Sequence, residues 1–279
     1  MKNRNSQLKK QSAVVLFSGG QDSTTCLYWA KQTFNQVFAL GFNYNQRHSL
    51  ELTCAENIAK EANVPFAVLN LPLLSTLTRN SLTDFSLAVD TIKEPQVQST
   101  QPHAKVDTQQ LAVDSIKESQ TQPTTADTKV DAQRLTADTI KEPVAQTTDQ
   151  TPPNSMVDGR NQLFLTYAAI YAKSQNIHHL VTGVSEADYS GYPDCRKNFI
   201  VAQQKALQLS MDYPFVIHTP LMFLDKTHVW KLADELNILT LVKEKTLTCY
   251  NGIVGSGCGT CPACGLRNQG LIEYSALKH

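Results

Sequence analysis

Two kinds of hydrophobic spacing alternate along this chain. Ala13-Val14-Val15-Leu16-Phe17 is an unbroken apolar run ending at a glycine-containing turn. Continuous rather than alternating apolar residues suit a strand covered on both faces, as in a central parallel sheet. Residues 22–32 read as a helix whose Cys26, Leu27 and Ala30 are available for packing, with Ser and Asp at its start. Residues 37–42 predict a second strand, 49–62 a second helix and 66–69 a third strand. Helical spacing returns at 163–173, followed by a strand at 180–183, a helix at 199–211, a strand opening at Val216-Ile217 and a helix at 226–236. A last apolar segment covers 266–274. This alternation predicts βαβ units with right-handed crossovers, hence an α/β fold with an open, mostly parallel sheet flanked by helices.

The pattern fails between residues 85 and 152, which hold no Cys or Trp and are rich in Gln, Thr, Asp and Pro. An octad starting at Leu87 returns at Leu111 and again at Leu135, a period of 24 residues. Each unit carries few large apolar side chains, so the stretch reads as a low-complexity insertion. Stacked repeats and a partner-binding arm are the alternatives. The expected division is an enzyme core at 11–84 and 153–245, the insertion at 85–152, and a zinc-binding C-terminal segment at 246–279 packed on the core.

Charge narrows the partners. Twenty-five basic residues balance 25 acidic ones, which gives no support to a general nucleic-acid or membrane-surface role. The polar N-terminus leads into no signal core, and no apolar run is long enough to span a bilayer. The reading is a cytoplasmic protein, in which seven cysteines serve as metal ligands or buried thiols rather than disulfides.

Ser18-Gly19-Gly20-Gln21-Asp22-Ser23 lies between the first strand and the first helix. Paired glycines permit a tight turn, and successive amides at a helix N-terminus make a concavity for polyanions. Neither the Gly-Lys-Ser/Thr phosphate loop nor Gly-x-Gly-x-x-Gly is present here. An ordinary strand-to-helix loop capped by Asp22 or Ser23 is the plainer reading. In the tail, Cys249, Cys258, Cys261 and Cys264 follow one another at intervals of nine, three and three. Four thiolates suit one tetrahedral Zn2+ with no open position, hence a structural role. The spacing also admits an iron–sulfur cluster.

Ser-Gly-Gly-x-Asp-Ser after an apolar strand resembles the PP-loop of the adenine-nucleotide alpha-hydrolase superfamily, whose members cleave ATP between the alpha and beta phosphates. More of the chain is similar to the 7-cyano-7-deazaguanine synthase family of queuosine biosynthesis. That similarity runs through Gln46-Arg47-His48 with Glu51, Asn80-Ser81-Leu82-Thr83, Gly159-Arg160-Asn161, the run from Gly183 to Arg196 that contains Asp-Tyr-Ser-Gly-Tyr-Pro-Asp-Cys-Arg, and the cysteine tail to Arg267. It covers nearly everything outside the insertion. One departure is Asp158, where the family usually carries Pro, whose ring would fix φ.

The resemblance implies a Rossmann-like PP-loop fold and a ligase forming carbon–nitrogen bonds. Its substrates would be 7-carboxy-7-deazaguanine, ammonia and ATP, and its products 7-cyano-7-deazaguanine, AMP and pyrophosphate. It implies that Ser18, Gly19, Gly20, Asp22 and Ser23 hold the ATP phosphates with Mg2+, and that Arg47, Arg160 and Asn161 contact nucleotide or substrate. Asp22, Arg160, Asp188, Asp194 and Arg196 are the expected catalytic set, and Tyr189 or Tyr192 would stack on the base. The family further implies a homodimer with no nucleic-acid or membrane partner. A tRNA thiolase, another amide-forming ligase and a zinc-stabilised scaffold stay open as alternatives.

Overall fold

A computed structural model of the chain describes residues 7–46, 50–77, 80–84, 86–91, 155–187 and 192–278. The chain divides into one compact unit of Met1–Thr100 with Pro152–His279 and a second of Gln101–Thr151. The second unit, and with it most of the repeats, lies outside the described residues.

In the first unit the strands are β1 (Ser12–Leu16), β2 (Gln36–Asn43), β3 (Phe66–Asn70), β4 (His179–Val181) and β5 (Val216–His218). They form one sheet in the order β3-β2-β1-β4-β5, and every pairing is parallel. The helices are α1 (Gln21–Thr33), α2 (Leu50–Glu61), α3 (Leu74–Leu77), α4 (Arg160–Ser174), α5 (Lys197–Met211), α6 (Lys226–Glu235), α7 (Leu239–Lys245) and α8 (Pro262–Leu277). The α/β architecture expected from the spacing is what forms.

The uninterrupted apolar run of β1 is explained by its two faces. Val14 and Leu16 pack with Leu165, Ala168, Ala169 and Ala172 of α4 and Ile200 and Leu207 of α5. Ala13, Val15 and Phe17 pack oppositely, with Cys26, Leu27 and Ala30 of α1 and Ala55, Ile58 and Ala59 of α2. Successive strand side chains point to opposite faces, so a central strand covered on both sides has no position left for a polar residue. The strand order reverses between β1 and β4. Open α/β sheets bind ligands beyond the strand C-termini at such a switch point.

Three boundaries differ from expectation. Thr182 and Gly183 leave β4, although the Thr182 amide still donates to the His218 carbonyl at 3.0 Å. Helix α7 lies in a stretch assigned to no element; Val242 is its single buried residue, too little for a periodic signal. The last apolar segment is part of a longer helix that begins at Pro262, immediately after Cys261. Among the described residues, no helix is long and apolar enough to cross a membrane.

At the other end of β1 and β4, Nε2 of His179 donates to the Gln11 side-chain oxygen. That fixes the tautomer, so Nδ1 accepts from Nε2 of His218 at 3.0 Å. Burial, reinforced by the neighbouring His178, lowers the pKa of His179 from 6.5 to about 4. Because the folded value is depressed, this contribution to stability is fully present above the unfolded pKa near 6.5. It is lost as pH falls through about 4. Urea midpoints measured from neutral pH downward are expected to drop over that window. His179→Gln should drop less, and an equal drop in both proteins would assign the acid sensitivity to other groups.

Candidate active site and metal centre

Helix α1 carries the phosphate loop. Its N-cap is Gly20 in extended conformation, without a side-chain cap. The plainer reading of Asp22 or Ser23 as the cap is therefore not what forms. Ser23 Oγ lies 3.2 Å from Ser18 Oγ and donates to the Gly20 carbonyl at 3.3 Å. The Ser18 amide donates to Ser23 Oγ at 3.3 Å, which closes the loop on itself. Gly19 turns with φ +80° against α2, where a Cβ would stand 2.7 Å from the Ala55 amide nitrogen. Glycine is needed there for both conformation and space.

The loop has unspent hydrogen-bonding capacity. Among the described residues, the amides of Asp22 and Ser23 donate to no protein acceptor. Asp22 Oδ2 pairs with Lys226 Nζ at 2.7 Å, whereas its buried Oδ1 has no partner. The Gln21 side chain is 1% exposed, yet both its amide atoms are also unpaired. Buried polar groups are ordinarily satisfied. Orphans concentrated on the first turn of a helix, beside free amides, fit a polyanion with its cation.

These residues border a cleft of about 320 Å3. Its floor is the ends of β1, β2 and β4, including Ser18, Tyr44 and Gly183; its walls include Glu51, Arg160, Asn161, Tyr192, Thr248 and Tyr250. Arg160 begins α4 behind Gly159, whose φ is +67°. Burial opposes the Arg160 charge, but Tyr44, Tyr250 and Tyr192 outweigh it and hold the guanidinium above its ordinary range. Tyr192 OH meets Ser155 Oγ at 2.9 Å. Burial, then Tyr192, pushes the Tyr250 phenol up. The cleft thus has a phosphate end and a cationic, aromatic end.

Of the residues singled out in the sequence, Ser18, Gly20, Asp22, Ser23, Arg160 and Asn161 border the cleft. Gly19 shapes the loop behind it. Asp194 and Arg196 stand next to the cleft without lining it. Asp194 Oδ2 accepts from the Asn161 amide at 2.9 Å, capping α4 from outside. Glu186 Oε2 does the same for the Lys197 amide of α5 at 3.1 Å. The side chain of Asn161 reaches Cys195 Sγ at 3.3 Å rather than capping its own helix. Arg47, Asp188 and Tyr189 lie outside the described residues. Tyr44, Thr248 and Tyr250 were given no role by sequence; no local spacing marks them, since two segments far apart in the chain bring them together.

The tail supplies that convergence. The Sγ atoms of Cys249, Cys258, Cys261 and Cys264 all lie within 4.8 Å of one another, so the group can hold a metal ion. Gly257 turns at φ +73°, and a Cβ there would collide with Cys264 Sγ. Burial opposes ionisation of Cys258, but donors from Thr260, Asn251 and the Cys261 amide lower its pKa to about 5. Such donors suit a thiolate ligand. Val89, from the stretch assigned to the insertion, packs against this cluster.

The segment between α7 and the cysteines also touches the phosphate loop. The Leu247 amide donates to the Gly19 carbonyl at 3.1 Å, and the Gln21 amide donates to Thr248 Oγ1 at 3.2 Å. Behind them Arg267 of α8, 2% exposed, donates to Thr246 Oγ1 at 2.7 Å, to Thr248 Oγ1 at 3.0 Å and to the Val242 carbonyl at 2.7 Å. Its own carbonyl accepts from Trp230 Nε1 at 2.9 Å.

A parallel sheet that delivers Ser-Gly-Gly-Gln-Asp-Ser into a cleft at its switch point defines a nucleotide-using enzyme of the PP-loop class. Within that class the chain belongs to the family of the queuosine biosynthesis protein QueC, whose model matches residues 12–127 and 105–275. It is 44% identical over 270 residues to the 7-cyano-7-deazaguanine synthase of Clostridium acetobutylicum, covering 97% of each chain. Among solved structures it is similar to an NH3-dependent NAD synthetase from Campylobacter jejuni, at 12% identity and a TM-score of 0.39, over 86% of this chain and 69% of that one. It is also similar to a 4-thiouridine synthetase in complex with RNA and ATP, at 12% identity and a TM-score of 0.43, over 96% of this chain and 52% of that one.

Arg267→Met keeps the stem but removes the guanidinium donors from two threonine hydroxyls and two carbonyls. It should cost about 3 kcal/mol, the scale of a buried charged donor, and raise protease sensitivity of the tail. Urea unfolding with limited proteolysis reads both; an unchanged midpoint would show that the guanidinium does not organise this seam.

Proposed function

We propose that the chain acts as its Clostridium relative is named, as a 7-cyano-7-deazaguanine synthase. It would convert 7-carboxy-7-deazaguanine and ammonia, with ATP, into 7-cyano-7-deazaguanine, AMP and pyrophosphate. The observation that carries this is the cleft itself, where a phosphate loop with unpaired amides faces a cation, Arg160, ringed by phenols.

Turning a carboxylate into a nitrile removes two oxygens, each a poor leaving group. Attack of the carboxylate oxygen on the ATP alpha phosphorus releases pyrophosphate and leaves an acyl adenylate. Ammonia then displaces AMP to give the amide. A second ATP adenylates the amide oxygen, releasing pyrophosphate and one proton from the nitrogen, and loss of AMP with the other nitrogen proton leaves the nitrile. The Asp22 and Ser23 amides, with Ser18, Gly19 and Gly20, would cradle the departing pyrophosphate, where negative charge grows during the step. Asp22, holding Lys226 by one oxygen and free at the other, would hold Mg2+, which would share that charge. Arg160 would face the substrate carboxylate or the alpha phosphate, and Asn161 would contact the nucleotide. Asp194, by capping α4, would set the angle at which Arg160 enters, and Arg196 would approach from the same loop. Arg47 and Asp188 keep their expected roles in phosphate and substrate contact.

The four cysteines would hold one structural Zn2+, favoured by their sulfur-only donor set. Elemental analysis should find one zinc per chain and no iron; chelation under reducing conditions should release the metal together with a loss of protease resistance in the tail. A cytoplasmic homodimer follows from the family resemblance, and sedimentation reads its mass.

Incubation of zinc-loaded protein with ATP, Mg2+, ammonia and 7-carboxy-7-deazaguanine should yield amide and then nitrile by mass analysis. Neither product from folded protein would overturn the assignment. Replacing residues 92–151 with a short Gly/Ser linker should retain the activity; its loss would place the repeats inside the working enzyme.

A further inference from the structure

Glu51 enters the established motif only as a letter, yet it occupies a distinct place in the cleft. It lies in the first turn of α2 and borders the same cavity as the phosphate loop and Arg160. It lines that cavity together with Ser18, Gly20, Asp22 and Ser23, so it stands beside the loop that would hold the nucleotide phosphates. The other charged or titratable groups facing it, among the described residues, are Arg160 from α4, Tyr44 beyond β2 and Cys54 on its own helix.

We propose that Glu51 is the catalytic proton acceptor that converts bound ammonium to the nucleophile ammonia. The proposal rests on the synthase reading above. Ammonia is overwhelmingly ammonium at neutral pH and has no free electron pair until one proton leaves. A carboxylate inside the cleft both attracts the cation and takes that proton. The freed pair then attacks the acyl-adenylate carbonyl carbon, forming the C–N bond. The C–O bond to AMP breaks with its electron pair going to the phosphate oxygen, which receives the second proton. Of the four ammonium hydrogens, two stay on the amide, one sits on Glu51 and one leaves with AMP.

The environment matches the task. Burial raises the Glu51 carboxyl from 4.5 to about 7, with Arg160 and then Ser18 restraining the rise. An ordinary carboxylate would be too weak a base for ammonium, whereas one lifted toward neutrality narrows the gap while remaining partly ionised. Arg160 across the cleft disfavours a second positive charge and so helps to expel the proton. Because the ionised form is the active one, amide formation should rise with pH through about 7.

The test separates the steps with Glu51→Gln, which keeps shape and hydrogen bonding, and Glu51→Asp, which withdraws the carboxylate by one methylene. Carboxylate-dependent exchange of pyrophosphate into ATP, measured without ammonia, reads adenylation alone. Single-turnover amide formation with ammonia reads the proposed step, and the same measurement with hydroxylamine, already neutral at pH 7, reads attack without deprotonation. Glu51→Gln is expected to slow the ammonia reaction by about 100-fold and to lose the pH limb. With hydroxylamine it should run within a few fold of wild type, and Glu51→Asp should retain the limb. Equal losses with both nucleophiles, or an equal loss of pyrophosphate exchange, would make Glu51 a binding or structural residue and overturn the proposal. A wild-type ammonia rate flat between pH 6 and 8 overturns it even where the variants fail to fold. Absence of exchange and amide in wild type defeats the synthase reading, and this proposal with it.

Discussion

The seam between the cysteine tail and the phosphate loop is the constraint on which the site depends. A loop rich in glycine has no stiffness of its own, and its first-turn amides must stay open for a ligand. Here it is held from behind. Gly19 gives its carbonyl to Leu247, Gln21 gives its amide to Thr248, and both contacts come from the segment immediately before Cys249. Arg267 anchors that segment through four acceptors. The cation can be buried because its donors are spent on neutral oxygens and its face lies over the Trp230 ring, 5.1 Å from its centre.

This places the metal-binding element in a role that its position at the end of the chain conceals. Cys249 is flanked by Thr248, which meets the phosphate loop, and Tyr250, which forms the opposite wall of the cleft. Fixing that one thiolate fixes residues at both ends of the cavity. A metal held by the four cysteines would therefore be mechanically continuous with the cleft, although no cysteine of the cluster need touch the reacting atoms. The sheet supplies the rest: β1 and β4 are adjacent and parallel, so the exits of both strands rise on the same edge and leave the crevice between them.

The sequence was most legible where a physical requirement falls on consecutive residues. A two-sided strand demands the run at 13–17, a tight turn at a helix start demands Gly19, and four thiolates demand close spacing. It was least legible where partners meet across the fold. Asp194 was expected in the catalytic set, but it and Glu186 each place a carboxylate oxygen on the N-terminus of a different helix. Negative charge is favoured at such termini, and nothing local distinguishes that use from substrate contact. The phenols of Tyr44, Tyr192 and Tyr250 sit on three segments far apart in the chain, and only the folded chain brings them to Arg160. Helix α7 was missed because it has a single buried residue, Val242, and takes two further contacts from Arg267 on its carbonyls.

The same geometry explains how one cavity can serve a reaction with two chemically different ends. At the phosphate end the groups left unpaired are amides and one carboxylate oxygen, which suits an anion accompanied by a cation. At the other end a guanidinium stands by Tyr44 and Tyr250, whose phenols burial keeps protonated; these can donate or accept without adding charge. Glu51 stands at the boundary between them, with Ser18 of the loop on one side of the cleft and Arg160 on the other. A carboxyl there is drawn toward ionisation by the arginine and away from it by burial, and burial prevails only far enough to bring it to about 7. That balance is what a group must have if it is to accept a proton in one step and release it before the next.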